Sequence, residues 1–78
     1  MSNIEKYNAA FIETLGVSEE ELDALAYQKV SAWDSVGHMQ LIAALEDVFD
    51  IMFDTDDIID FSSYQKGKEL IAKYDIEL

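Results

Sequence analysis

The chain has no cysteine, no proline and no arginine. Without cysteine there is no disulfide framework, no thiolate metal site and no cysteine nucleophile. Five lysines are the whole stock of strongly basic side chains, against seventeen carboxylic acids, for a net charge of −12 and a pI near 4.1. Nucleic-acid binding draws on counterion release by basic groups, and anionic membrane surfaces attract the same groups, so this balance excludes both partners. Basic proteins or cations are the expected ones. No apolar stretch approaches the roughly 18 residues of a membrane span. The opening MSNIEKYNAAF lacks the basic start and hydrophobic run of a secretory leader, so a soluble, cytoplasmic protein is expected.

What is present is enough for one small domain over residues 1–78, expected to be a monomer. Half of the 78 residues are hydrophobic and 12% aromatic, too apolar for disorder despite the charge. A domain of this size buries only about 60% of the surface its unfolded chain exposes. That leaves little room for a deep, many-sided catalytic pocket, and the expectation is a protein that is not an enzyme.

Apolar residues Ile4, Tyr7, Phe11 and Leu15 recur at helical spacing from Ser2 or Asn3 onward, and Gly16 stands where a left-handed C-terminal cap belongs. Ser18 and Glu21 form a capping-box pair that opens a turn or two of helix over residues 18–25. Residues 26–33 show neither helical nor strand period and read as an ordered loop pinned by Tyr27, Val30 and Trp33. A long helix follows from Ser35 to about Phe49, capped by Asp34 or Ser35. A short acidic turn is expected within residues 54–61. Ser62 with Gln65 then opens a last helix to about Tyr74, with Tyr64, Leu70, Ile71 and Tyr74 on its buried side. No segment alternates with period two. The expected fold is an all-α bundle of three longer helices and one or two short ones.

On a wheel of about 100° per residue, Leu41, Leu45, Val48, Phe49 and Met52 form the core side of the long helix, with Ile42 and His38 at its margins. The opposite side is not wholly polar. Val36, Met39 and Ala43 lie there, bordered by Gln40, Glu46, Asp47 and Asp50. Isolated exposed hydrophobes are ordinary on a protein surface. An apolar strip rimmed by carboxylates is also what a docking surface for a basic partner requires.

The stretch WDSVGHMQLIAALEDVFDIMF, Trp33 to Phe53, resembles the acyl carrier protein family, the phosphopantetheine-binding carriers of fatty-acid, polyketide and nonribosomal-peptide synthesis. That family has an Asp-Ser-aliphatic motif at the start of its second helix and a leucine-rich face ending in Leu-Glu-x-x-Phe. The matching residues here are Asp34, Ser35, Val36, Leu41, Leu45, Glu46 and Phe49. The resemblance covers nearly the whole chain, because helix, loop, helix, short helix, helix with an acidic middle is the family architecture. Trp33 before the motif and Val36-Gly37-His38 after it look more like carriers from specialised pathways than like the housekeeping fatty-acid form.

The resemblance implies that Ser35 is the attachment point of 4′-phosphopantetheine, delivered from coenzyme A by a phosphopantetheinyl transferase that supplies the base and Mg²⁺. An acyl- or aminoacyl-loading ligase and downstream synthases or transferases with basic docking surfaces would be the other partners. Asp34, Val36, Met39, Gln40, Ala43, Glu46, Asp47 and Asp50 are the expected docking residues. Reversing Glu46 and Asp47 to lysine is expected to weaken transfer to partners and spare the fold. A helix N-terminus suits the placement, since it presents the hydroxyl in fixed orientation beside free N–H groups.

Ser35 can also be an ordinary N-cap, as many helix-start serines are. The same face can serve an adaptor of carrier-like fold that is never loaded. A hydrolase built from Asp34, Ser35 and His38 lacks a scaffold for an oxyanion hole. Seven acids between Glu46 and Asp60 suggest calcium, but an EF-hand begun at Asp54 needs glycine and glutamate where Ile59 and Gln65 stand. Tyr27 and Trp33 read as packing anchors of the loop, with a minor role around the arm or its cargo as the second reading.

Overall fold

The computed structural model describes residues 2–78, and all of them belong to an all-α arrangement without strands. Four α-helices, α1 (Asn3–Leu15), α2 (Ser35–Phe49), α3 (Thr55–Asp60) and α4 (Tyr64–Ala72), are joined by loops, with a 3-10 segment at Glu19–Ala24. Helix α1 begins in a reciprocal capping box. The Glu5 N–H donates to Ser2 Oγ at 3.3 Å, and the Ser2 N–H donates to Glu5 Oε1 at 3.0 Å. It ends at Gly16, whose left-handed φ of 67° lets its N–H reach the Ile12 carbonyl at 2.9 Å.

The core is aromatic and centres on Phe11, which meets Tyr7, Trp33 and Tyr64 edge-on at 4.9, 5.7 and 5.3 Å between ring centroids. Leu41, Ile42 and Leu45 of α2 and Ile71 of α4 close the space around these rings. Such edge contacts add about 0.5–1.5 kcal/mol per pair beyond burial, a large contribution in a bundle this small. The Tyr7 hydroxyl donates to the Tyr64 carbonyl at 2.7 Å, and burial, with Tyr64 beside it, pushes its phenol far above the ordinary range.

Several expectations about these elements need correction. Val48 and Met52 are not core: they are 40% and 81% exposed, whereas Ile42, expected at the margin, is buried. On the wheel Val48 falls between the buried Gly37 and Leu41, but it sits in the last turn of α2, where the packing that covers Leu41 and Leu45 runs out. Met52 follows the helix end at Asp50, where the backbone turns left-handed (φ 53°) and wheel periodicity stops applying. The last helix is capped by Ser63 rather than Ser62. Ser63 Oγ accepts the Lys66 N–H at 2.9 Å, and α4 closes at Ala72, two residues early, leaving Tyr74 half-buried in the following turn.

The loop before α2 is sewn to the far side of the bundle. Ala26 and Ser63 form an isolated antiparallel bridge in which the Tyr27 N–H donates to Ser62 O at 2.8 Å and the Tyr64 N–H to Leu25 O at 3.0 Å. Gly37 brings the first turn of α2 against this loop, because any Cβ there would run into the Ala32 carbonyl.

Candidate functional site

Ser35 is the first residue of α2, and it does not cap the helix. The cap is Asp34: its backbone is extended and its Oδ1 accepts the Gly37 N–H at 2.9 Å. Ser35 is thereby left exposed, and among the described residues its Oγ has one side-chain neighbour within hydrogen-bond range, the hydroxyl of Tyr27 at 3.3 Å. Helix geometry and a neighbouring cap together present this oxygen outward.

Ser35 also borders a pocket of about 370 Å³ between the start of α2 and α3, whose walls include Tyr27, His38, Met39, Ile59 and Phe61. The back of the pocket is held by a hydrogen-bonded chain. Trp33 Nε1–H donates to His38 Nδ1 at 2.9 Å, and His38 Nε2 meets the Ile58 carbonyl at 2.8 Å. Indole N–H can only donate, so Nδ1 is the acceptor and the ring proton sits on Nε2, where it satisfies a carbonyl at the end of α3. Both imidazole nitrogens are thus engaged, neither of them with Ser35.

Val36 and Met39 stand 67% and 54% exposed beside Ser35, and Ile59 of α3 adds an apolar side chain at 73%. Asp34, Gln40, Ala43, Asp47 and Asp50 are exposed as well, so the expected docking residues share the outward side of α2 with one partial exception. Glu46 is half-buried, and its Oε2 accepts the Phe53 N–H at 2.8 Å, tying down the loop after α2. A lysine at position 46 removes that anchor, so the fold is not indifferent to its reversal. Among the described residues, no three His, Asp or Glu side chains converge on a point that could hold a metal ion. No helix among them is long and apolar enough to cross a membrane.

Comparison with protein-family models, curated proteins and solved structures finds no match. The site therefore rests on its own geometry.

One of its members escaped sequence reasoning, and the placement of another was not foreseen. Ile59 carried a signal: two adjacent isoleucines on a six-residue helix cannot both face the core, and Ile58 takes the half-buried place. Tyr27 reads in the sequence as a loop anchor with a minor role around the arm, but its approach to Ser35 depends on how the eight-residue loop folds back. A third feature is the carboxylate of Asp57, buried at 4% exposure within an acidic run that reads as solvated surface. It accepts from Lys73 Nζ at 2.7 Å and from the Tyr74 hydroxyl at 2.6 Å, fastening α3 to the end of α4. These hydrogen bonds, Lys73 first, hold its carboxyl below the usual range.

Proposed function

We propose that this chain is a carrier protein whose Ser35 bears 4′-phosphopantetheine and whose α2 face docks the enzymes that load and unload it. One observation carries this reading: Ser35 Oγ is exposed at the first turn of α2 while Asp34 performs the capping that would otherwise account for a serine there. The phosphopantetheine group fits the position. The hydroxyl is open to a transferase, and the adjoining pocket offers mainly apolar walls to a flexible arm. When bound, the arm supplies a terminal thiol that holds acyl or aminoacyl groups as thioesters.

This chain's own residues present and steer; they supply no base. A serine hydroxyl is a poor nucleophile until a base removes its proton, and His38 has both nitrogens committed to Trp33 and Ile58. On this reading the base and the metal are supplied by the transferase. Val36 and Met39 offer apolar contact, with Asp47 and Asp50 attracting a basic partner.

Intact-protein mass before and after incubation with coenzyme A, Mg²⁺ and a broad-specificity phosphopantetheinyl transferase tests this reading, with Ser35→Ala beside it. A gain of one phosphopantetheine, absent in the variant, is expected. No gain in a folded sample across several transferases would instead favour an unloaded adaptor that uses the same face.

A further inference from the structure

We infer that Tyr27 is a positioning residue for Ser35: its hydroxyl fixes the orientation of Oγ for phosphopantetheine transfer and afterwards hydrogen-bonds the phosphodiester, holding the root of the arm at the pocket mouth. The inference rests on the loading of Ser35 proposed above.

Packing does not account for Tyr27. Trp33, wholly buried, anchors the loop, whereas Tyr27 is 36% exposed. Its ring is nonetheless held on two sides, edge-on to His38 at 5.4 Å and to Trp33 at 6.3 Å between centroids. Its backbone N–H is fixed to Ser62 O. His38 is itself immobilised by Trp33 and Ile58. A rigidly seated aromatic ring at the surface therefore delivers a hydroxyl to 3.3 Å from the one side-chain oxygen proposed to react.

The transfer makes a bond from Ser35 Oγ to the β-phosphorus of coenzyme A and breaks the pyrophosphate bond on its far side. Adenosine 3′,5′-bisphosphate leaves with the bonding electrons, and the Oγ proton passes to the transferase's base. Held by Tyr27, Oγ keeps a lone pair directed at the incoming phosphorus. Once Oγ has become an ester oxygen it is a weak acceptor, and the anionic phosphate oxygens lie two bonds further out, on phosphorus. The Tyr27 O–H then donates to one of them in a charge-assisted bond, which is shorter and about twice as strong as a neutral one.

Tyr27→Phe keeps the ring and removes only the hydroxyl. Wild type and variant are loaded with coenzyme A, Mg²⁺ and the same transferase while mass is followed, and the ³¹P resonance of each loaded protein is recorded. The expected result is a turnover rate about three- to tenfold lower in the variant at unchanged KM for the carrier, with a displaced ³¹P resonance. Equal rates and coincident ³¹P resonances would overturn the role of Tyr27 while leaving the carrier reading standing. Failure of the wild type to load would overturn both. If Tyr27→Phe fails to fold, wild type labelled at tyrosine Cζ decides alone: the assigned Tyr27 signal shifts on loading, and an unmoved signal overturns the inference.

Discussion

Gly67 sits inside α4, where helix propensity alone favours alanine by about 0.8–1.0 kcal/mol. The packing favours the opposite sign. A Cβ at this position would overlap the Tyr7 hydroxyl and Phe61 Cζ, and would stand 2.8 Å from Phe61 Cε1. Both rings are fully buried and cannot swing into solvent. Making room strains the packing of α4 against Phe61 and also pushes the Tyr7 hydroxyl off its bond to the Tyr64 carbonyl. Overpacking costs about 1–3 kcal/mol. A buried hydroxyl left unpaired costs about 1–3 kcal/mol more. After the propensity gain, Gly67→Ala should lose about 3 kcal/mol, which for a domain of this size lowers Tm by roughly 10–25 °C. Urea and thermal unfolding followed by circular dichroism measure this directly. The cause is separable with Tyr7→Phe, which removes the obstructing oxygen: the double variant should be more stable than the summed single losses by about 1 kcal/mol. A Gly67→Ala protein as stable as wild type would refute the steric origin, and strict additivity in the cycle would refute the share assigned to the Tyr7 hydroxyl.

Ser35→Ala should abolish loading at nearly unchanged Tm because Asp34 is the cap, whereas Asp34→Ala should lose about 1 kcal/mol in the same melts. Asp50 holds a left-handed conformation at the end of α2, so Asp50→Gly should raise stability by about 1 kcal/mol, read from the urea midpoint. Asp57 is held below its ordinary range in the folded state, so its tether is fully present above the unfolded carboxylate value of about 3.9 and is lost as pH falls through the folded one. Thermal melts between pH 2 and pH 7 should therefore show an acid-side loss of stability that is shallower in Asp57→Asn, which starts lower at neutral pH. Asp47→Lys should slow transfer to partner enzymes without moving Tm, in contrast to Glu46→Lys, which also frees the Phe53 N–H.

Helices whose ends are written in local chemistry were legible in the sequence. Ser2 with Glu5 and Gly16 fix α1 from contacts no more than four residues apart. Asp34 and Ser35 likewise marked the start of α2, although which of them caps depends on φ and ψ at one residue. Legibility failed where a partner lies far along the chain. Val48 lies outward because core packing ends before the last turn of α2, and Asp57 is buried because Lys73 and Tyr74 come back from α4 to meet it. Ser63 displaces Ser62 as the cap because Ser62 O and the Tyr64 N–H are committed to the bridge with the loop before α2. The serine at the head of α2 was readable from its motif. Its environment was not, since Tyr27 and Ile59 come to it from a loop and another helix.

That bridge gives the pocket one stitched lip and one hinged lip. On the Tyr27 side, main-chain hydrogen bonds bind the loop to the α3–α4 turn, so the two strips of backbone shift together or not at all. On the other side α3 is six residues long, starts at Asp54 without a side-chain cap, and is fastened by Asp57 beneath and by the imidazole contact to Ile58. Any opening of the cleft is therefore expected on the α3 side, where side-chain contacts rather than main-chain hydrogen bonds hold the wall. Amides of α3 should exchange with solvent well before those of Tyr27 and Tyr64, and a guest too large for the resting cavity enters by displacing Ile59 rather than by parting the bundle.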